Sequence, residues 1–327
     1  MNDPFHDGER ALQQRVGSRE RLAATGHRMI LDFMPEPHQE FFAQLPFVVL
    51  AWVDAYGQPW ATLLAGPPGF VHSPDPHTLR FLALPAAHDP LRALLQPGAP
   101  LGVLGIVAET RRRNRVNGVV TDVFDGGFAV RIQQSFGNCP KYIQPRRVRY
   151  QAPAPGDAVA VVRQDGLDAA ACQLIARSDT FFVASSHPQA AAAHTQHQGV
   201  DASHRGGPPG FVRIQSSHEL GVPDYLGNGF FNTLGNAHLE PRVGLLFVDF
   251  ASTERLQVAA RVVLNWGDLP PQHAAHETGR SLHLKVEQTV WLRGGLSLAW
   301  VNPYTPAAHD QPSASPGPLP GPAPGRA

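Results

Sequence analysis

The run Ser203-His204-Arg205 places a hydroxyl, an imidazole and a guanidinium group on three consecutive residues. A phosphate dianion is held best by arginine together with hydroxyl or backbone amide donors, because such hydrogen bonds are charge-assisted. The run is therefore a candidate anion-binding site. A polar strand at the edge of a sheet would carry the same residues without binding a ligand, so this alternative stays open.

Sixteen histidines raise the question of a metal or haem site. Pairs such as His72 and His77, or His194 and His197, lie in segments rich in Pro, Ala or Gln. They lack the HExxH and Cys-His spacings that suit metal geometry, so we predict no metal site.

The two cysteines and one run of arginines also have simple interpretations. Cys139 and Cys172 are too few for a disulfide framework or a four-ligand zinc site, so we interpret them as free thiols. The run Arg111-Arg112-Arg113 is interpreted as a solvated turn.

The chain contains one unit written twice. WATLLAGPPGFV, from residue 60, and DASHRGGPPGFV, from residue 201, agree at seven of twelve positions at an offset of 141. A second pair of blocks starts at Gly102 and Gly244, at an offset of 142, and a weaker third pair is RIQQSF from Arg131 and KVEQTV from Lys285. Three blocks in the same order indicate a tandem duplication.

Each copy has the pattern of a mainly β fold, because short β-branched or aromatic runs are bounded by Gly, Pro or Asp. Helical patterns are confined to 4–30, 89–96 and 168–176, while 187–198 fits either a loop or a short helix. Leu12 and Val16, then Leu22 and Ile30, are separated by multiples of four, so we expect the N-terminal stretch to pack as helix on the first barrel. The predicted strands lie at 47–53, 60–64, 101–107 and 128–132, with counterparts at 180–185, 211–214, 243–250 and 282–291.

Composition narrows the class of protein. Lys plus Arg and Asp plus Glu number 27 each, so no general attraction to nucleic acid or anionic membranes follows. The first 30 residues lack the apolar core of a secretory signal, and no apolar run approaches 18 residues. We therefore predict a cytoplasmic protein with neither nucleic-acid nor membrane partners.

Two segments of the first copy carry a family resemblance. RVNGVV from Arg115, followed by a strand and then by FGNCPKYI from Phe136, resembles a signature of the flavin-nucleotide-binding branch of the pyridoxamine 5′-phosphate oxidase superfamily. The likeness covers about 37–300. It implies two tandem FMN-binding split β-barrels that form a pseudo-dimer, with FMN in a groove between the barrels. The chain departs from the oxidase at its C-terminus, where Tyr304 precedes a Pro/Gly tail, so pyridoxamine phosphate is not the expected substrate.

The repeat, the helical patterns, the composition of the tail and the resemblance together divide the chain. We expect an N-terminal helical segment at 1–36, a first split barrel at 37–150, a helical linker at 151–179, a second split barrel at 180–301 and a disordered tail at 302–327.

Site residues follow from the same resemblance. It places Ser203, His204 and Arg205 on a phosphate-binding strand, where the first copy has Thr62, Leu63 and Leu64. Each set that follows also has a simpler interpretation: the asparagines would only cap a helix, the glutamine would be solvated, and the first-copy residues would form a polar turn with a packed tyrosine. The cofactor-binding residues that the resemblance adds are Asn228, Asn232 and Thr233 at a helix start, Gln257 on a strand, and Arg115, Asn117, Lys141 and Tyr142 near the flavin ring.

The phosphate-type residues 203–205 occur only in the second copy, whereas Asn117 and the Cys-Pro-Lys-Tyr segment occur only in the first. This distribution predicts one composite groove and one FMN per chain. The expected activity is that of an FMN-dependent oxidoreductase acting on a small-molecule substrate or an electron donor such as NAD(P)H, although no catalytic acid or base is identified. A flavin-binding protein without turnover and a haem-binding split barrel remain alternatives. The pattern also allows the whole chain to pair as a homodimer.

Overall fold

A computed structural model of the chain describes residues 3–152, 159–192, 197–252, 254–267 and 277–301. The tail at 302–327, predicted to be disordered, lies outside the described residues. Among the residues described, no helix is both long and apolar enough to cross a lipid bilayer.

The first unit follows three helices and is an antiparallel sheet of seven strands. The helices are α1 (Asp7–Arg15), α2 (Arg19–Met29), α3 (Glu36–Ala43) and, between strands, α4 (Pro90–Leu94). The strands are β1 (Phe47–Val53), β2 (Pro59–Ala65), β3 (Val71–Asp75), β4 (Thr78–Phe81), β5 (Pro100–Val107), β6 (Arg112–Phe124) and β7 (Gly127–Gly137). Their order across the sheet is β2-β1-β5-β6-β7-β4-β3.

The second unit repeats this plan. Two short strands, β8 (Arg147–Tyr150) and β17 (Leu298–Val301), pair with each other outside both main sheets. The remaining elements are β9 (Ala160–Gln164), α5 (Ala169–Arg177), β10 (Thr180–Ser186), β11 (Val200–Gly206), β12 (Arg213–Ser216), β13 (Glu219–Tyr225), α6 (Asn232–Leu239), β14 (Arg242–Val248), β15 (Arg255–Trp266) and β16 (Glu277–Arg293). The sheet order is β11-β10-β14-β15-β16-β13-β12, the same as in the first unit.

The register of the two sheets agrees as well as their order. Gly102 pairs with Asn117 in one sheet, and Gly244 pairs with Ala259 in the other, so these pairs occupy equivalent places at an offset of 142. The pairing shifts by one residue immediately after Asn117 and immediately after Ala259. The fold is thus mainly β, with two tandem split barrels related as a pseudo-dimer.

Strand β1 shows why these strands are apolar throughout. Val48, Leu50 and Trp52 enter the core of the first unit, whereas Phe47 and Val49 enter a core shared by both units. Because successive side chains of a strand point to opposite faces, a strand buried on both faces needs a continuous apolar run.

Two equivalent glycines allow the units to approach closely. A Cβ added at Gly102 would lie 2.8 Å from the carbonyl oxygen of Val200, and one added at Gly244 would lie 2.3 Å from that of Pro59. Strand β5 therefore contacts β11 of the other unit, as β14 contacts β2. Any side chain at these positions would push the two units apart.

The N-terminal helices pack on both units rather than on the first barrel alone. Leu12 belongs to the core of the second unit, and Val16 is 37% exposed. Phe5, Leu22 and Ile30 form a small cluster with Phe136 of the first unit and Phe230 of the second. Helix α1 packs on α6 because both contain a glycine at the crossing, which the pattern of apolar residues does not reveal.

The predicted helical linker is only partly helical. Its second half contains α5, whose N-cap is Asp168, but strand β9 precedes it and pairs with β16. The undecided stretch at 187–198 includes a single 3-10 turn at Ala190–Ala192 among its described residues.

Candidate anion-binding cleft between the two units

A cleft of about 110 Å³ lies between the units. Strand β6 and the loop after β7 form the first unit's side, while β11, β13, β16 and the start of α6 form the other side. Its charged and polar lining consists of Arg113, Arg115, Arg205, Arg280, Asp224, Ser203, His204, Asn138, Asn228, Asn232 and Thr233. We call this site the anion cleft.

Two arginines of β6 reach across to β11. The guanidinium group of Arg115 donates to Asp201 Oδ1 at 2.6 Å and to Ser203 Oγ at 2.7 Å. Arg113 donates to Nδ1 of His204 at 3.0 Å and to its carbonyl oxygen at 3.2 Å. The alternation of a strand places both arginines on one face, so β6 supplies two positive charges to the cleft.

The second unit contributes two further arginines that share one carboxylate. Arg205 Nη1 lies 2.8 Å from Asp224 Oδ1, and Arg280 Nη2 lies 2.7 Å from Asp224 Oδ2. Asp224 is buried, with a side chain only 4% exposed. These contacts hold both guanidinium groups in place while leaving several of their N–H donors free for a ligand.

The cleft carries an excess of positive charge. Four guanidinium groups face the carboxylates of Asp201 and Asp224, which leaves two positive charges uncompensated. Burial, followed by the charge of Arg115, lowers the pKa of Arg113 to about 9. Burial and Arg113 also hold the pKa of His204 well below its usual value, so its ring is neutral. An anion entering the cleft relieves this repulsion.

Seven of the sequence-predicted site residues meet in the anion cleft. The phosphate-type residues and the residues at the helix start converge here with one residue from the first unit: Ser203, His204, Arg205, Asn228, Asn232, Thr233 and Arg115. Their role in binding a cofactor stays a prediction.

Three residues predicted to lie near the flavin ring are placed differently. Lys141 is exposed and does not line the cleft. The hydroxyl of Tyr142 donates to the carbonyl of Leu226 at 3.1 Å, and its ring stacks on Tyr225. Asn117 lies beneath Arg115, where its side-chain amide is 3.3 Å from that of Gln134. The amide of Gln134 in turn donates to the carbonyl oxygen of Pro4, so the N-terminal segment contacts the side chain next to Asn117.

Gln257 does not join the other predicted residues. It pairs with Leu246 as Arg115 pairs with Leu104, so it occupies the place equivalent to Arg115 on the opposite side of the pseudo-dimer. Its amide donates to the carbonyl oxygen of Ala61 at 2.8 Å, and its side chain is completely buried. The resemblance predicted that Gln257 lies on a flavin-binding strand. Its strand, β15, lines the equivalent groove on the opposite side of the pseudo-dimer.

That other groove is filled by side chains. Thr62 donates to Asp89 at 2.5 Å, and Arg255 donates to the carbonyl of Gly294 at 2.7 Å. Leu64 packs in one apolar core with Leu292 of the second unit. We call the site formed by Thr62, Leu64, Asp89, Arg255 and Gln257 the filled groove.

The sequence interpretation missed several residues of the cleft. Arg113 was assigned to a solvated turn, but only Arg111 and Arg112 are exposed, whereas Arg113 faces His204. The spacing Arg113-x-Arg115-x-Asn117 on a strand was an available signal for it. Arg280 and Asp224 carried no such signal, because pairing between β13 and β16 brings them together across 56 residues.

Three potential metal ligands approach one another outside the cleft. His6, Asp7 and His187 place ligand atoms within 4.8 Å of one another. However, Nδ1 of His6 accepts from the backbone of Gly8, and Nδ1 of His187 accepts from that of Gln189. These hydrogen bonds place the ring protons on Nε2, so neither imidazole presents a free lone pair to an ion.

Comparison with known proteins finds no matching family model and no matching curated protein. Solved structures with similar parts include HupZ of Group A Streptococcus, at 13% identity and a TM-score of 0.28, covering 37% of this chain and 96% of that chain. A protein assigned as a pyridoxamine 5′-phosphate oxidase of Lactobacillus delbrueckii has 18% identity and a TM-score of 0.26, covering 32% of this chain and 95% of that one. HutZ, the heme storage protein of Vibrio cholerae, has 12% identity and a TM-score of 0.27, covering 39% and 95%. At these TM-scores the likenesses carry no argument about the ligand.

Proposed function

We propose that this chain is a flavoprotein that binds one FMN through the anion cleft. The observation that carries the proposal is the convergence of four guanidinium groups, with two positive charges uncompensated, on one small cleft. A phosphate monoester near neutral pH carries close to two negative charges and three acceptor oxygens, so it complements this site.

The residues of the cleft suit the two ends of FMN differently. Arg113, Arg205 and the hydroxyl of Ser203 would hold the phosphate. The cleft volume of about 110 Å³ is below the roughly 300–1,000 Å³ of typical ligand pockets, so it suits the phosphate end rather than the whole cofactor. Tyr225 and Phe231, which are only half-buried, would offer aromatic surface to the ring.

The proposed activity is that of an oxidoreductase that uses NAD(P)H or a small organic substrate. Bound FMN would supply hydride or electron transfer, and the protein would position the cofactor and exclude water from its phosphate end. Oxidation of NAD(P)H by the flavin-loaded protein distinguishes an enzyme from a flavin carrier. No oxidation with any donor, despite saturated flavin, would favour the carrier.

Titration with FMN tests the proposal directly. Loss of one charge-assisted phosphate contact costs about 1.5–3 kcal/mol, so Arg205→Ala should lower the affinity roughly tenfold to a hundredfold. Leu64→Ala, at the equivalent place in the filled groove, should leave the affinity unchanged. Arg261→Ala removes an exposed arginine and controls for net charge.

Saturation should occur at one flavin per chain. Saturation at two flavins, or an Arg205→Ala protein that binds FMN as tightly as the unaltered chain, would refute the composite site. A purified protein that neither contains nor takes up FMN would refute the flavin assignment.

A further inference from the structure

Helix α1 is fixed against α6 by close contact of two backbones. A Cβ added at Gly8 would lie 2.3 Å from the carbonyl oxygen of Gly235, and one added at Gly235 would lie 2.6 Å from Cγ of Glu9. Such an approach leaves no room for sliding. Helix α1 therefore has a fixed position against α6, whose first residues line the anion cleft.

The face that α1 buries is unusually polar. His6, Glu9 and Gln13 are 3%, 4% and 0% exposed, although a helix normally buries apolar residues on its packed face. Gln13 donates to the carbonyl oxygen of Phe230 at 3.1 Å. Because burial of polar groups is costly, the arrangement calls for a role beyond packing.

Glu9 connects the helix to the anion cleft. Its Oε1 accepts a hydrogen bond of 2.5 Å from Nδ2 of Asn232, and its Oε2 accepts one of 2.9 Å from the backbone of His6. Asn232 is the first residue of α6 and lines the cleft. The Glu9 carboxyl thus orients a side chain that lines the anion cleft.

We propose that Glu9 is a positioning residue of the anion cleft, which orients Asn232 and whose carboxyl charge sets the affinity of the cleft for a dianion. The inference rests on the anion-binding part of the proposed function and does not depend on the flavin ring.

The charges around Glu9 determine the direction of the effect. Arg115 faces it from β6 and Asp201 from β11, while His6 lies on the same segment and α6 contributes the neutral Asn232. Beyond His6, the groups facing this segment are Asp7, Arg10, His187 and His197.

Glu9 is protonated at neutral pH and ionised in alkali. Burial raises the pKa of Glu9 to about 8, and burial lowers the pKa of His6 to about 3. Near neutral pH both are uncharged, and the cleft keeps its excess of two positive charges. Ionisation of Glu9 above pH 8 removes one of these, and deprotonation of Arg113 near pH 9 removes the other, so the affinity for a dianion should fall as the pH rises.

Sulfate is a suitable probe, because it remains a dianion throughout this pH range. We expect its affinity, measured by isothermal titration calorimetry, to fall by about a hundredfold or more between pH 7 and pH 9.5. A unit charge about 10 Å from a dianion changes its affinity on the order of a hundredfold at an effective dielectric constant of about 20, and deprotonation of Arg113 adds to the fall. Glu9→Gln should remove the part of this fall that is centred near pH 8 and keep the part due to Arg113, since the glutamine keeps the shape and the contact with Asn232 but cannot ionise. Glu9→Ala should bind sulfate more weakly than Glu9→Gln at every pH, because Asn232 loses its partner.

Gln14→Ala, which changes an exposed residue of the same helix, is the matched control and should behave as the unaltered chain does. Circular dichroism establishes that each variant is folded, and the isosteric Glu9→Gln keeps the test decisive if Glu9→Ala does not fold. The same pH profile in the unaltered chain and in Glu9→Gln, or no sulfate binding at all, would overturn the proposal. Sulfate binding that depends on Glu9 in a protein that rejects FMN would support it and would overturn the flavin assignment alone.

Discussion

The anion cleft and the filled groove are equivalent places in the pseudo-dimer, yet they have opposite character. Ser203 pairs with Val183 as Thr62 pairs with Leu50, and these partners are themselves equivalent, so Thr62 and Leu64 stand where Ser203 and Arg205 stand. On the facing strand Gln257 stands where Arg115 does. The two grooves thus share strand order and register, and they differ in their side chains.

Charge explains the difference. Leu64 packs in the same apolar core as Leu292 and helps to close the filled groove, because apolar side chains gain from leaving water. Four guanidinium groups cannot pack together in that way. Their like charges repel, and the N–H groups of each buried guanidinium need hydrogen-bond acceptors. The comparison teaches that two exchanges of an arginine for a neutral side chain, Leu64 for Arg205 and Gln257 for Arg115, accompany the closure of the filled groove.

The largest expected effect contrasts Arg115→Ala with Gln257→Ala. The arginine variant leaves the carboxylate of Asp201, 2% exposed, without its counter-charge, and should lower the free energy of unfolding by about 3–5 kcal/mol. The glutamine variant leaves the Ala61 carbonyl unpaired and should cost about 1–3 kcal/mol. Urea denaturation at pH 7 measures both.

The loss in Arg115→Ala should shrink in acid. Burial raises the pKa of Asp201, and without Arg115 to oppose it the carboxyl protonates readily as the pH falls, which removes the unpaired charge. Equal losses for the two variants at pH 7 would show that the two grooves are energetically alike.

A smaller effect contrasts Arg113→Ala with Arg255→Ala. Arg113 faces the cleft, so its removal should weaken FMN binding tenfold to a hundredfold, the equivalent of about 1.5–3 kcal/mol. Arg255 is 3% exposed and donates to the carbonyl of Gly294, so its removal should lower the melting temperature and leave the affinity unchanged. Fluorescence titration of FMN, together with thermal melts, separates the outcomes; weakened binding in both variants would mean that both grooves take ligand.

The smallest effect contrasts Ser203→Ala with Thr62→Val. Each loses one side-chain hydrogen bond, to Arg115 or to Asp89, and should lose roughly 1–2 kcal/mol of stability in chemical denaturation. Only Ser203→Ala should also lower the affinity for FMN, by a few-fold. Unchanged FMN affinity in that variant would remove Ser203 from the phosphate site.

Much of the architecture could be predicted from the sequence. The three repeated blocks fall on equivalent strands, and even the weak pair RIQQSF and KVEQTV places Gln134 and Gln288 opposite Asn117 and Ala259, which are equivalent. Strand runs such as Phe47–Val53 were recognisable because alternation and composition are local properties. The asymmetry between Arg205 and Leu64 was likewise visible once the repeat was aligned.

Which residues meet in and around the anion cleft was decided by the tertiary structure. Asp224 and Arg280 meet only because β13 pairs with β16, and Glu9 reaches Asn232 only because two glycines let α1 contact α6. Sequence spacing encodes neither contact, since each joins segments that are far apart in the chain. The sequence by itself determined a mainly β chain with two unequal copies, because strand patterns and repeats are written along the chain. The tertiary structure decided which charges share one cleft, because electrostatic interactions depend on distance in space.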